Sequence, residues 1–159
     1  MASFPRSVRL AVFRAHIENG LSVAIGVGLT GLAVDVGLGR AAAVAAATGA
    51  LCVSICARSD PLRQKGRIMG IALLWSVFFT ALSSFTHFST PAFVAATAFT
   101  GLWAGLASAY GRWVLSLAMT GVLAFVFAMG QSFADASQAG DHLLLFTCGA
   151  LIYVTYAVL

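Results

Sequence analysis

With 159 residues, 60% of them hydrophobic and 9% charged, the chain falls far below the roughly one-quarter charged content of soluble domains. That composition excludes an ordinary water-soluble fold. The formal net charge of +4 does not indicate a nucleic-acid partner. Eight of the nine Lys and Arg residues are confined to the N-terminus, to a central loop and to Arg112, so no phosphate-tracking face remains.

Residues 1–14 form a basic leader carrying Arg6, Arg9 and Arg14 without an acid, followed by an apolar stretch. This order imitates a secretory signal or an Arg-rich presequence. Everything downstream is equally apolar, so the leader reads as the approach to a first membrane span, with Phe4, Val8 and Phe13 able to insert in a leaflet. Residues 15–159 then divide into six apolar segments near the roughly 20 residues a bilayer requires. These are Ala15 to Val36, Arg40 to Ala57, Ile68 to Phe85, Pro91 to Tyr110, Trp113 to Gly130, and His142 to Leu159. The expected fold class is all-α, a polytopic membrane bundle of six transmembrane helices.

Between the second and third segments lies Arg58 to Arg67, R-S-D-P-L-R-Q-K-G-R, the densest charge cluster of the chain. Lys and Arg are retained on the cytoplasmic face of a bilayer. Placing the N-terminus inside puts Arg6, Arg9, Arg14, Arg58, Arg63, Lys65, Arg67 and Arg112 inside and leaves only Arg40 outside. Tyr110 and Trp113 flank Arg112 as an interfacial aromatic pair. The last segment is apolar to Leu159 with no basic residue at its inner end, and this leads to the expectation of a longer chain with a downstream domain, or of a docking partner.

Small residues recur every fourth position at Gly20, Ala24 and Gly28, at Ala42, Ala46 and Ala50, and at Thr97, Gly101, Gly105 and Ala109. Such stripes let helix backbones approach where lipid supplies no hydrophobic drive. Gly101 and Gly105 are therefore expected to pack against another helix, ordinarily within the bundle; a homo-oligomer (dimer) interface or a pore lining is the alternative reading of such stripes. Ionisable groups near the spans are functional candidates by default. Glu18, one turn after Arg14, and Asp35 with Arg40, bracketing the first outer turn, are the candidates for coupling or gating, against the plainer reading of interfacial ion pairs. His16, His87 and His142 fall at span ends, where they remain hydrated. Cys52, Cys56 and Cys148 lie in apolar runs without His or carboxylate partners, so they read as packing residues; no metal or other cofactor is expected. No H-E-x-x-H, G-x-S-x-G or Walker pattern occurs, and the glycines of G-V-G-L-T-G follow no strand. An enzyme is not expected.

The run G-A-L-C-V-S-I-C-A-R-S-D-P-L-R-Q-K from Gly49 to Lys65, with Y-G-R at Tyr110 to Arg112, resembles the fusaric acid resistance family of bacterial inner-membrane proteins. In that family an Ala/Gly-rich span runs into a D-x-P-x-P-L-R-type loop; here Asp60 precedes Pro61 directly and the loop has a single proline. The resemblance implies an efflux transporter of the bacterial inner membrane, akin to aromatic carboxylic acid exporters and more distantly to plant malate-type anion channels. It also gives the inner charges a role: Arg58, Arg63, Lys65, Arg67 and Arg112 would draw a small anionic substrate to the cytoplasmic mouth. An anion channel and a non-transporting accessory subunit are the alternative readings.

Overall fold

The computed structural model describes the backbone of residues 6–56 and 62–159, and the side chains of residues 17–56, 65–107, 109–111 and 114–159. Six helices follow in order: α1 (Arg6–Leu38), α2 (Arg40–Ser54), α3 (Leu62–Thr86), α4 (Thr90–Ala109), α5 (Arg112–Met129) and α6 (Ala136–Val158).

Three boundaries differ from the expected ones. The leader is not a separate element, since Arg6 to Ala15 continues α1 without interruption. Half of the central loop is helical: Leu62 to Arg67 forms the first turns of α3, a stretch with no proline or β-branched residue to resist the helix. The polar stretch from Ala136 to Asp141 opens α6 instead of forming a loop, because backbone hydrogen bonding persists through polar residues where propensity permits. Pro91 stands at the start of α4 as expected.

Among the described residues, four helices are long and apolar enough to cross a bilayer: α1, α3, α4 and α6. α2 is only 15 residues, about 22 Å at 1.5 Å per residue, and the apolar part of α5, Val114–Met129, is also short. Both lie inside the bundle. α2, α3, α5 and α6 form the centre, with α1 lying against α2 and α6 on one flank and α4 against α5 and α3 on the other. Outward faces are mainly apolar; on α1 they present Leu21, Ile25, Leu29, Leu32 and Val36. A surface of this extent is one that lipid covers.

The two halves of the chain repeat each other. A constant step of 72 residues relates Gly39 to Gly111, Arg40 to Arg112 and Gly49 to Gly121. Gly39 (φ 84°, ψ 173°) and Gly111 (φ 106°, ψ 175°) precede α2 and α5 in the same conformation, one that only glycine adopts freely. Burial follows the same step: Ala45 and Leu117, Ala46 and Ala118, Cys52 and Ala124, and Val53 and Phe125 are all buried. Packing obeys the correspondence too. α2 lies on α6 as α5 lies on α3, and α1 leans on α2 and α6 as α4 leans on α5 and α3. Each unit holds three helices, an odd number, so the second unit runs in the opposite sense to the first. One contact breaks the symmetry. The α2 backbone approaches that of α3, whereas among the described residues the backbones of α5 and α6 stay apart and are linked through the buried cluster that holds Phe125 and Phe146.

Candidate functional site

The closest helix contact is between α2 and α6, where Gly49 abuts the Phe146 backbone and Gly149 abuts Ala46. Of the three small-residue stripes, that of α2 is buried, with Ala46 and Ala50 fully so. The stripe of α4 is not: Thr97, Gly101, Gly105 and Ala109 are exposed, and a Cβ built at Gly101 or Gly105 meets no described residue within 4 Å. These two glycines do not pack on another helix of this chain among the described residues. The inward face of α4 is instead Ala96, Thr100, Trp103 and Ala107. Glycines at positions 20 and 28 of α1 are likewise open, and Gly26, against Tyr153 and Tyr156, makes the close contact of that helix.

The central helix α3 turns one continuous face into the bundle. Lys65, Met69, Ala72, Ser76, Thr80 and Ser83 follow one another at steps of three or four residues, the spacing of a single helical face. Lys65 is half-buried and Arg67, on the opposite side, is exposed. The basic residues proposed for the substrate mouth are thus divided by the helix: Lys65 faces inward and Arg67 outward. Arg58 and the side chains of Arg63 and Arg112 lie outside the described residues. The backbone of Arg112 nevertheless belongs to the same end of the bundle, because α5 runs parallel to α3 in register, Leu117 packing with Ala72 and Gly121 lying against Trp75 and Phe79. The N-termini of α3 and α5, the positive ends of their dipoles, point to that basic end.

Asp35 and Arg40 line a shallow cleft of about 370 Å³ between α1 and α2, together with Gly28, Gly31, Leu32, Ala43 and Val44. Glu18 is exposed on α1 and is not brought to this cleft. At the end opposite the basic one, His87, Phe133 and His142 form a ring cluster, with centroids 6.4 Å and 5.3 Å apart along the chain of three.

Sequence reading missed the hydroxyls of the core. Among the described residues, eight Ser and Thr are buried. Five of them satisfy their hydroxyl on a carbonyl one turn back: Thr30 on Gly26, Ser54 on Leu51, Ser76 on Leu73, Thr100 on Ala96 and Thr120 on Ser116. Thr120 also meets the Cys56 Sγ at 3.3 Å, joining α5 to the end of α2. The remaining three, Thr80, Ser83 and Ser84, have no hydrogen-bond partner among the described residues, and neither do the indole Nε1 atoms of Trp75 and Trp103. The sequence signal for them was the run of hydroxyls from Ser76 to Ser84 within one of the most hydrophobic segments.

Taken with the apolar exterior, this architecture defines a polytopic α-helical membrane protein. Comparison with family models, curated proteins and solved structures gave no match.

Proposed function

We propose that the protein is a membrane transport unit that exports small anionic solutes of the aromatic carboxylate class, in the manner of the fusaric acid resistance proteins its central motif resembles. The observation that carries this reading is the inverted three-helix repeat. Transporter folds are commonly built from inverted repeats, because two halves of opposite sense can exchange conformations and open a shared central path to either side in turn. A purely structural bundle has no need of that symmetry. The basic end supports the sign of the solute: Lys65 on the inner face of α3, the adjacent basic residues, and the N-termini of α3 and α5 together make it electropositive. By the distribution of Lys and Arg this end is cytoplasmic, and a cytoplasmic mouth that gathers anions suits export.

Purified protein in liposomes should accelerate loss of preloaded benzoate over protein-free vesicles. No acceleration for benzoate, for hydroxybenzoates or for nitrate would refute the proposal. An anion channel is the second reading, favoured by a described core that holds hydroxyls but no carboxylate to carry a coupling proton. Flux that follows an imposed voltage and ignores a pH gradient selects the channel.

A further inference from the structure

We infer that Thr80, Ser83 and Ser84 form the hydrogen-bonding site for the solute's carboxylate, placed between the bundle centre and the His87–Phe133–His142 cluster; this rests on the transport reading above. Buried hydroxyls in helices ordinarily turn back on a carbonyl, and five buried residues of this chain do so. Three that do not are gathered within five consecutive residues of one helix. A buried polar group without a partner is costly, and in an apolar bundle it calls for a water or a ligand.

α3 and α6 are equivalent in the repeat, with Ala72 and Phe146, Ser76 and Ala150, and Phe79 and Tyr153 buried in both at a step of 74. The three hydroxyls depart from that shared pattern: they are buried, whereas Val154, Ala157 and Val158 at the same step are only partly so.

The chemistry fits an anion. Hydroxyls donate O–H to a carboxylate oxygen, and the described core holds no acid to repel one. A site without a full positive charge binds weakly enough for the solute to leave, as conduction and transport both require. On the inner face of α3 the three hydroxyls lie on the line that runs from Lys65 at the basic end through Ser76, with the ring cluster beyond them.

The test uses single cysteines T80C, S83C and S84C in a protein whose Cys52, Cys56 and Cys148 are replaced by Ala, with A124C as the buried apolar control. A small methanethiosulfonate reacts only with hydrated thiols. It should modify S83C and S84C about tenfold or more faster than A124C, and benzoate should slow that reaction. A T80A/S83A/S84A variant should lose about tenfold or more in benzoate flux, tenfold being the effect of a single hydrogen bond to a charged group. Its melting temperature should stay the same or rise, since unpaired hydroxyls have been removed. Modification no faster than at A124C overturns the inference, as does benzoate failing to protect, unchanged flux in the triple variant, or a lowered melting temperature, which would mean that the hydroxyls are satisfied within the fold. If the unmodified protein moves no anion, the transport reading fails; thiol reaction with benzoate protection then still establishes the site, and their absence removes it.

Discussion

At Gly49 an added methyl group has nowhere to go, because the backbone of Phe146 occupies its place. Backbone cannot swing aside as a side-chain end can, so Gly49→Ala should destabilise by about 1–3 kcal/mol, the usual cost of overpacking. Gly121→Ala should cost less, since its Cβ would meet the Phe79 ring at 2.7 Å and a ring has some room to tilt. Gly101→Leu and Gly105→Leu should leave the melting temperature in detergent unchanged. Thermal unfolding of the four variants checks the ordering, and equal losses at Gly49 and Gly101 would show that the α2–α6 contact is not the tight one. The sequence displays all of these glycines with equal prominence. It could not separate them, because in a bilayer the lipid face of a helix is as apolar as its packed face, and hydropathy loses the contrast that marks the core of a soluble protein.

At the scale of the element, α3 shows what periodicity can and cannot deliver. The charge cluster between the second and third segments was plain, but its reading as a loop hid the fact that Lys65 and Arg67 are helical and face opposite ways. Two residues apart on a helix is about 200° of rotation, so the helical state alone decides which of the two can meet a solute. If the inner face of α3 is the approach, Lys65→Gln should weaken apparent affinity for benzoate several-fold, while Arg67→Gln should have little effect beyond topology. Exposed charges act over only about 8–10 Å near physiological salt, so any loss from Arg67→Gln should vanish as salt rises and the loss from half-buried Lys65→Gln should persist. Flux measured for both at low and high ionic strength decides it, once correct insertion of each variant is verified; equal losses would place both at a diffuse electropositive mouth. The boundaries of α6 were hidden for a related reason. Its first six residues are polar enough to look like a loop, yet an extended Asp135 before Ala136 starts the helix there.

For the whole molecule, the six-helix bundle was legible from composition and segment length, and the repeat was present in the sequence as Gly39-Arg40 against Gly111-Arg112 and Thr30-Gly31-Leu32 against Thr100-Gly101-Leu102. Such short identities carry no weight until packing shows that they lie in equivalent helices, with Thr30 and Thr100 both buried and both bonded one turn back. The inverted repeat then imposes a topology that can be checked independently of charge. Three helices per unit place the two Gly-Arg turns on opposite sides of the membrane. Gly37→Cys and Ser137→Cys, at one end of the bundle, should be labelled by a membrane-impermeant maleimide from one side, and Ala109→Cys, at the other end, only from the opposite side. Labelling of Ser137→Cys and Ala109→Cys from the same side would abolish the repeat as a transmembrane arrangement and the transport reading with it. The asymmetry offers a test of the transport reading: the α2 backbone approaches α3 while those of the equivalent α5 and α6 stay apart among the described residues, and alternation would exchange the two packings. Spin labels on the exposed positions Ile55 and Leu74, and on the pair 72–74 residues onward, Phe127 and Cys148, should report two exchanging distance populations when benzoate is added, the first pair lengthening as the second shortens. A single unchanged population in both pairs would leave a rigid bundle, and a rigid bundle favours the channel.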